Sequence, residues 1–322
     1  MSPSNACVRC TTKPTPGPEE GTVPHPIVEQ TRRTVELPSG PVSYLTWAPG
    51  RSAATVVLLH GGGVDNASLS WGGIGPRLAE AGYRVIAPDH PGYGQSPPAR
   101  QPVTQERLVA YVGEFVDGME LDRYAIGGLS LGGGMTIGHL LDRPARVMGA
   151  MLLGSYGIMP RLSDGPLSGV RQLVTWAALR TGLLGAVTRW AGGNRAAMTR
   201  SMHALIRDPR QLKDALMDEI MTAAAQPDGF GAFDQWQHDQ VGWNRLRTDY
   251  TPRLVELRCP TLVIHGDRDP GVPVARARAA AALIPNGHLK IVDRAGHWVQ
   301  RDQPDVVLDA IIGFLRGISA TA

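Results

Sequence analysis

The sequence predicts an α/β fold in which a mostly parallel sheet is covered by helices. Short apolar runs alternate with helical patterns along much of the chain, which is typical of βαβ units. The run at 55–59 is apolar almost throughout, as in a strand that is buried on both faces. A serine flanked by glycines at 128–132 stands where another such strand passes into a helix. These three observations together favour a sheet built from parallel strands.

The first predicted strands form a hairpin. Segments 33–37 and 42–47 have strand patterns, and Pro38-Ser39-Gly40-Pro41 between them is typical of a turn. An antiparallel hairpin at this edge makes the predicted sheet mixed. The later predicted elements are a helix at 75–81, strand 83–87, helix 106–119, strand 124–128, helix 131–141, strand 147–153, strand 261–265, helix 274–284, strand 288–292 and helix 305–314.

A helical insertion is predicted to interrupt the sheet. Between residues 155 and 257 the strand patterns disappear, and Ala, Leu, Met, Arg and Trp recur at helical spacing, as in 211–217. We expect this insertion to form a helical cap over a core made of 27–154 and 258–322. Residues 1–26 are rich in Pro, Thr, Ser and Gly and are predicted to be a disordered tail.

Composition and charge favour a globular protein with a small-molecule substrate. Hydrophobic residues make up 43% of the 322 residues and charged residues 19%, while the net charge is only +3. So small a charge does not predict a nucleic acid or a membrane as partner, unless the arginines cluster on one face. Without a secretory signal pattern or a long apolar run, the sequence predicts a cytoplasmic monomer or homodimer.

The three cysteines do not indicate a disulfide framework. Cys7 and Cys10 form a single C-x-x-C pair inside the Pro-rich tail, with no second pair nearby. A lone pair in such a segment favours a disordered terminus over a zinc or redox site.

Ser130 is the predicted nucleophile. It stands in Gly128-Leu129-Ser130-Leu131-Gly132, after the apolar run 124–127 and before a helical pattern that reaches residue 141. A turn this sharp between strand and helix leaves no room for side chains on both flanks, and glycine fits there without steric cost. We therefore expect the hydroxyl to project from the edge of the sheet.

His297 is the predicted general base. It lies directly after the last predicted strand and before the final helix, at the edge where the carboxyl ends of parallel strands converge. Seven of the other eight histidines lie in the tail, within a helix, in the insertion or at the ends of earlier strands, and the eighth, His288, begins the last predicted strand. A lone histidine is more often structural than catalytic, but this placement distinguishes His297 from the rest.

Asp269 is the predicted acid that orients the base. The segment 265–273 follows the preceding core strand and contains two carboxylates, Asp267 and Asp269. Asp267 is the alternative, expected to accept backbone N–H groups within the turn instead. The other position at which such an acid can stand, after the strand that ends at Leu153, holds Gly154-Ser155 and no carboxylate. The absence of a carboxylate there strengthens the prediction that Asp269 is the acid.

A glycine-rich loop supplies the predicted oxyanion hole. His60-Gly61-Gly62-Gly63 follows strand 55–59, and glycines let backbone N–H groups approach a substrate without obstruction. The expected donors are the N–H groups of Gly62 and Leu131, whereas His60 is expected to be structural. A phosphate loop is the alternative for such a turn, but the chain has neither G-x-x-x-x-G-K-[ST] nor G-x-G-x-x-G here.

The insertion carries the residues expected to shape a pocket. Apolar walls are typical of small-molecule sites, and the candidates are Trp176, Trp190, Met202, Trp236 and Trp298. For each one, packing of the insertion onto the core is the alternative role. Arginines of the insertion, including Arg161, Arg195 and Arg207, are candidates to meet a substrate carboxylate, although such side chains are more often solvated.

Together these residues resemble the α/β-hydrolase superfamily. The resemblance covers about residues 31–318 and includes 89–96, which is similar to the family's D-x-x-G-x-G-x-S turn. It implies an α/β-hydrolase fold with a cap, and a triad of Ser130, His297 and Asp269 that works through an acyl-enzyme. It also implies that no metal and no cofactor is needed.

Three positions distinguish among the branches of this superfamily. Epoxide hydrolases and haloalkane dehalogenases carry a carboxylate where this chain has Ser130. Ring-cleavage C–C hydrolases usually place Asn where Leu129 stands, and Val64 breaks the H-G-G-P-G pattern of proline iminopeptidases. The main prediction is therefore a serine esterase for a small, largely apolar carboxylic ester. C–C bond hydrolysis of a diketone-type substrate is the alternative, and perhydrolysis or ligand binding without turnover stay open on the same scaffold.

Overall fold

The computed structural model describes residues 28–50, 52, 54–226 and 228–320, and it contains one eight-stranded sheet. The predicted tail, with Cys7 and Cys10, lies outside the described residues. The strands are β1 (Glu29–Leu37), β2 (Gly40–Ala48), β3 (Thr55–Leu59), β4 (Arg84–Pro88), β5 (Tyr124–Leu129), β6 (Val147–Leu153), β7 (Thr261–Gly266) and β8 (Gly287–Val292). Their order in the sheet is β1-β2-β4-β3-β5-β6-β7-β8.

The sheet is mixed in the predicted way. Strand β2 pairs antiparallel with both β1 and β4, and all later pairs are parallel. The hairpin turn is tighter than the sequence suggested, because Leu37 already pairs with Gly40 and only Pro38 and Ser39 remain between the strands. Gly40 adopts a φ of +124°, which lets the ladder resume at once. The predicted fold class is confirmed.

Helices cover both faces of this sheet. They are α1 (Ala67–Trp71), α2 (Gly75–Glu80), α3 (Gln105–Gly118), α4 (Leu131–Asp142), α5 (Ser168–Arg180), α6 (Leu183–Gly192), α7 (Arg195–Leu205), α8 (Asp214–Ala224), α9 (Gly231–Gln240), α10 (Val274–Leu283), α11 (Val299–Asp302) and α12 (Pro304–Ala320). One apolar cluster holds α3, α4 and α10 against the sheet, and the other holds α1, α2 and α12. Two tryptophans, Trp47 and Trp71, are fully buried in the second cluster.

Most predicted elements are present, and the differences have local causes. The sequence did not predict α1, because five residues are too few to show a helical period; Asn66 caps it by accepting the N–H of Leu69. The helical pattern at 211–217 predicted a helix there, but in the structure the helix begins only at Asp214. The last helix continues to Ala320, beyond the predicted end at 314.

Helices α5 to α9 all lie between β6 and β7, within the predicted insertion at 155–257. They contribute to both apolar clusters, with Leu179 and Trp236 in the first and Met202 and Ile220 in the second. The division of the chain into a core and a cap stays a prediction. In the described part of the chain no helix has the length and apolar character that crossing a bilayer requires.

The turn after β4 is held by a buried carboxylate. Asp89 Oδ1 accepts the N–H of Ala67 at 2.8 Å, and Asp89 Oδ2 accepts the N–H of Gln95 at 2.9 Å and the Arg32 guanidinium at 2.6 Å. Ser96 Oγ donates to the Asp89 carbonyl oxygen. This segment, 89–96, therefore joins the first helix to the sheet.

The strand order creates a crevice at the carboxyl ends of β3 and β5. From β3 the chain passes to β4 on one side and later returns to β5 on the other side of β3. Loops that leave two neighbouring strands in opposite directions open a gap at which ligands bind in α/β sheets. Leu59 pairs with Gly128 at these ends, so the loop at 60–63 and the turn at Ser130 meet there.

Gly128 and Gly132 are required by the close approach of α4 to the sheet. A Cβ at Gly128 would lie 2.2 Å from the carbonyl group of Gly132, and one at Gly132 would lie 2.4 Å from the Leu59 carbonyl oxygen. Backbone atoms cannot move away as a flexible side chain can. Helix α4 therefore begins directly against the ends of β3 and β5.

We predict that Gly128→Ala lowers the free energy of unfolding by about 3 kcal/mol or more, because its methyl group overlaps backbone atoms. Gly313→Ala is the matched control: Gly313 is an exposed residue of α12, and a Cβ there meets nothing within 4 Å. That change is expected to stabilise the protein by about 0.5–1 kcal/mol through helix propensity. Urea denaturation measures both, and equal effects of the two variants would contradict the packing argument.

Candidate active site

Ser130 joins β5 to α4 through a backbone conformation that residues other than glycine rarely adopt. Its φ is 51° and its ψ is −112°, which costs about 1–3 kcal/mol and is typical of functional sites. The Ser130 N–H donates to the Leu153 carbonyl oxygen at 2.8 Å, and the Tyr156 N–H donates to the Ser130 carbonyl oxygen at 2.9 Å. These bonds fix the turn to the end of β6.

His297 and Asp269 form a hydrogen-bonded pair. Asp269 follows β7 and His297 follows β8, so the parallel pairing of these strands brings both residues to one edge. His297 Nδ1 lies 2.7 Å from Asp269 Oδ2. The Asp269 side chain is fully buried, and the His297 side chain is 14% exposed. Because Nδ1 is occupied, Nε2 is the ring nitrogen that remains for another partner.

Several groups keep the Asp269 carboxylate ionised and oriented. Asp269 Oδ1 accepts the N–H groups of Gly271 and Val272 at 2.7 Å and 3.0 Å. Burial by itself raises the pKa of Asp269, but the hydrogen bond from His297 and the charges of His297 and His265 outweigh it, so the pKa falls below its usual value. An ionised carboxylate in this place holds the imidazole in one tautomer.

His265 lies on the other side of the same carboxylate. His265 Nε2 donates to the Val272 carbonyl oxygen at 2.9 Å and is 3.4 Å from Asp269 Oδ2. Burial lowers the pKa of His265, against the opposing effects of the Asp269 charge and the hydrogen bond to Val272. Asp267, the alternative acid, is exposed, and its N–H donates to the Val292 carbonyl oxygen. The structure therefore brings Asp269, not Asp267, to His297.

The end of β6 connects the pair to the serine turn. A Cβ at Gly154 would lie 3.2 Å from His297 Nδ1 and 3.3 Å from Asp269 Oδ2. Gly154 directly follows Leu153, the residue that accepts the Ser130 N–H. The end of β6 thus lies beside both the serine turn and the Asp269–His297 pair, and the three predicted triad residues each follow a strand at this edge of the sheet.

The two predicted oxyanion donors border the same crevice. Leu131 is the first residue of α4, where N–H groups have no acceptor within the helix and the helix dipole favours negative charge. Gly62 lies in the loop after β3, and a Cβ there would lie 2.5 Å from the Phe233 ring. His60 is fully buried: its Nδ1 donates to the Gly61 carbonyl oxygen at 2.7 Å. Burial lowers the pKa of His60 to about 3, so its ring is uncharged.

A buried carboxylate holds this glycine loop in place. Asp65 Oδ2 accepts the Gly61 N–H at 2.7 Å and the Ser70 hydroxyl at 2.6 Å, while its Oδ1 accepts the Asn66 N–H at 2.8 Å. Burial raises the pKa of Asp65 to about 6, against the opposing effect of these hydrogen bonds. The shape of the loop therefore depends on Asp65.

A second buried carboxylate holds the loop that carries His297. Asp302 accepts the Gly296 N–H at 2.6 Å and the N–H groups of Arg207 and Asp208, each at 2.8 Å. The latter two residues follow α7 in the insertion. One side chain thus ties the His297 loop to the insertion. Substitution of Asp302 would leave the buried Gly296 N–H and two part-buried N–H groups without their acceptor.

An aromatic group from the insertion covers the glycine loop. Phe233 on α9 lies against Gly62 and stacks on Trp236, with ring centroids 5.6 Å apart and planes at 16°. Trp236 also contacts Tyr156 edge to face, and its Nε1 donates to Gln105 at 2.8 Å. This part of α9 closes the crevice on the side of β3.

The other predicted wall residues have different surroundings. Met202 and Trp298 are buried in the second apolar cluster, and Trp176 is half-buried against the first. Trp190 differs from the expectation, because its side chain is 64% exposed on α6 and forms no enclosed wall. The three arginines considered for a substrate carboxylate are exposed and engaged elsewhere: Arg161 with Asn244 and Ser168, Arg195 with Asp218, and Arg207 with Arg268.

Three residues of the site were missed by the sequence analysis. Asp65 and Asp302 each lie a few residues beyond a loop and accept N–H groups of that loop. Many surface aspartates have the same spacing from a loop, so the sequence does not distinguish these two. Phe233 comes from a helix more than 100 residues beyond Ser130 in the chain. Nothing in its local pattern indicates that it meets Gly62.

We predict that Asp65 makes the stability of the protein depend on pH. Because its pKa in the folded state is raised from 3.8 to about 6, its contribution is present below pH 3.8 and is lost as the pH rises through about 6. The loss is about 3 kcal/mol, from 1.36 kcal/mol per pKa unit. Asp65→Asn is expected to remove this slope, and Asp267→Asn, at an exposed site, is expected to keep it. Denaturant unfolding at several pH values measures it; parallel curves for wild type and Asp65→Asn would refute the assignment.

Curated relatives of this chain are named as hydrolases of 2-hydroxy-6-oxo acids. The chain is 30% identical over 272 residues to a 2-hydroxy-6-oxononadienedioate/2-hydroxy-6-oxononatrienedioate hydrolase of Cupriavidus pinatubonensis, which covers 83% of this chain and 88% of that protein. It is 29% identical over 266 residues to a 2-hydroxy-6-oxo-6-(2'-aminophenyl)hexa-2,4-dienoic acid hydrolase of Metapseudomonas resinovorans, covering 81% and 83%.

Solved structures and a family model agree on the fold. The crystal structure of a serine hydrolase involved in carbazole degradation superposes with a TM-score of 0.74 at 25% identity, over 89% of this chain and 99% of that one. A family model described as alpha/beta hydrolase fold matches residues 54–304. The chain therefore belongs to the α/β-hydrolase fold family, and it is a hydrolase.

Proposed function

We propose that this protein is a serine hydrolase that cleaves the C–C bond next to a ketone in a diketone-type substrate, with Ser130, His297 and Asp269 as its catalytic residues. The observation that carries the proposal is the buried Asp269–His297 pair, 2.7 Å apart, beside the strained serine turn. The relatives named for 2-hydroxy-6-oxodienoate hydrolysis, aligned over more than four fifths of the chain, support the substrate class.

The proposed reaction uses one acyl-enzyme. Ser130 Oγ attacks the ketone carbon while His297 Nε2 accepts the hydroxyl proton, and the N–H groups of Gly62 and Leu131 hold the resulting oxyanion. When the tetrahedral intermediate collapses, the C–C bond breaks and its electron pair passes into the conjugated leaving group, which takes the proton from His297. Water then loses a proton to His297, attacks the acyl carbon, and releases a carboxylic acid and Ser130.

The helical insertion at 155–257 has the role of a cap in this proposal. Phe233 lies against Gly62, and Trp236 stacks behind it, so one wall of the crevice comes from α9. Asp302 ties residues 207 and 208 to the loop that carries His297. An apolar cover excludes water from the oxyanion and strengthens the hydrogen bonds there.

Ester hydrolysis is the second candidate, and Leu129 favours it. This residue is fully buried before the nucleophile, and its Cδ2 would lie 3.4 Å from a Cβ at Gly61. An apolar side chain at this position offers no hydrogen bond to a substrate oxygen, and an ester needs none there. Both reactions use the same acyl-enzyme and differ in the group that leaves.

The first test compares the two leaving groups. We expect kcat/KM for 2-hydroxy-6-oxononadienedioate, followed by loss of dienoate absorbance, to exceed that for p-nitrophenyl esters of any acyl length. Ser130→Ala is expected to lower both activities by about 10⁴-fold or more and to abolish labelling by a fluorophosphonate. Faster turnover of the esters would establish the second candidate, and labelling that persists in the alanine variant would exclude Ser130 as nucleophile.

The second test assigns the acid. Asp269→Asn removes the charge that stabilises the imidazolium and reverses the hydrogen bond that sets its tautomer, so we expect kcat to fall by about 10³–10⁴-fold. Asp267→Asn, two residues away and exposed, is the matched control and is expected to retain near wild-type kcat. Comparable losses in the two variants would show that the loop as a whole, and not Asp269, supports activity.

A further inference from the structure

The outer face of the hairpin formed by α5 and α6 is apolar and open to solvent. On α6 the side chains of Leu183, Val187 and Trp190 are 60%, 51% and 64% exposed, and their spacing places them on one side of the helix. On α5 the side chains of Val170 and Val174 are likewise exposed. Contiguous large apolar side chains on a surface mark an interaction site more often than a scattered few do.

The inner face of the same hairpin is already occupied. Leu179 is buried, and Trp176 and Leu184 pack against the first apolar cluster. Gln172 Nε2 donates to the Gly242 carbonyl oxygen at 2.7 Å, which fixes α5 to the loop after α9. The hairpin is therefore held in place by one face while the opposite apolar face has no partner within the described residues.

The charged residues of the hairpin itself are all arginines. From residue 165 to residue 207 the sequence contains six arginines and no aspartate or glutamate. Of these, Arg171, Arg180 and Arg189 belong to the hairpin, are exposed, and form no ion pair with any described acidic side chain. Asp234 on α9 lies close to α6: its Oδ1 is 3.5 Å from the Cβ position of Gly185, and Arg189 is 3.2 Å from the same position.

We propose that this hairpin docks on an anionic lipid surface, with Leu183, Val187 and Trp190 among the acyl chains and Arg171, Arg180 and Arg189 at the headgroups. Apolar side chains with tryptophan on one face, flanked by arginines, are typical of helices that lie in a membrane interface. The positive charges of the arginines favour an anionic lipid surface, because the acidic headgroups supply the negative charges that the hairpin lacks. The small net charge of the whole chain predicts no membrane partner, whereas the structure shows three exposed arginines on this one hairpin, of which Arg180 also donates to the His238 carbonyl oxygen of α9 at 3.2 Å.

A second copy of the chain fits this face less well. Symmetric contact would bring two arginine-rich surfaces together with few acidic groups to compensate them. The experiment below distinguishes such a dimer from lipid binding.

The experiment is co-sedimentation of the full-length protein with extruded vesicles, either of phosphatidylcholine alone or of equal parts of phosphatidylcholine and phosphatidylglycerol. We expect preferential binding to the anionic vesicles, which weakens as NaCl rises from about 0.1 M to about 1 M and shortens the Debye length from about 10 Å to about 3 Å. Trp190→Ala is expected to lower the partition coefficient about tenfold. The triple change R171Q/R180Q/R189Q is expected to lower it roughly 100-fold.

Two controls are matched in type and lie outside the hairpin. Val255→Ser alters an exposed apolar residue of the 3₁₀ helix at Thr251–Glu256, and Arg278→Gln alters an exposed arginine of α10. Both are expected to bind vesicles as the wild type does, and circular dichroism melting confirms that every variant is folded.

Three results would overturn the proposal. The first is that the wild type fails to sediment with anionic vesicles. The second is that the hairpin variants and the control variants sediment equally. The third is that analytical ultracentrifugation without lipid shows a dimer, that Trp190→Ala dissociates this dimer, and that the protein does not bind vesicles. In that case the face is an interface between two copies of the chain.

Discussion

The contact between the start of α4 and the ends of β3 and β5 is the constraint on which the candidate site depends. It is possible only because Gly128 and Gly132 carry no Cβ, and it forces Ser130 into a left-handed backbone conformation. The same contact puts the free N–H groups at the start of α4 beside the glycine loop after β3. One close approach of helix to sheet thus places the proposed nucleophile and the N–H groups proposed to hold an oxyanion next to each other.

Buried carboxylates hold the loops around this contact. Asp89, Asp65, Asp269 and Asp302 each lie within a turn, and each accepts two or more backbone N–H groups or a partner side chain. A carboxylate has four lone-pair sites, so one side chain satisfies several N–H groups of an irregular loop that no strand can pair. The loops that carry Gly61 and His297 are thereby held by hydrogen bonds to buried carboxylates. Fixed positions of this kind are what a preorganised catalytic site needs.

The helical insertion presents two apolar faces with different surroundings. Phe233 and Trp236 face inward against the glycine loop, whereas Leu183, Val187 and Trp190 face outward among arginines. The proposed C–C hydrolysis involves the inner face, and the proposed lipid contact involves the outer face. The two proposals therefore depend on different residues. Leu129 belongs to neither face; it is buried beneath the glycine loop, where it makes the position before the nucleophile apolar.

Much of the core and three site positions could be predicted from local sequence. The buried strands β3, β5 and β6 show as apolar runs because both of their faces are covered, and the glycines around Ser130 show because only glycine tolerates that turn. His297 and Asp269 were predictable from their places after strands, since carboxyl ends of parallel strands share an edge. The whole of α1 was not, because five residues show too little periodicity. The start of α8 was not either, because no capping side chain marks it in the sequence.

By itself the sequence determined the α/β architecture, the serine turn and the order of the chemical groups, because each depends on residues that are neighbours in the chain. Only the tertiary structure brought Asp269 rather than Asp267 to His297, placed Phe233 over Gly62 and turned Trp190 outward. Those results depend on which side of a helix or loop faces the rest of the molecule, and that is set by packing between segments far apart in sequence.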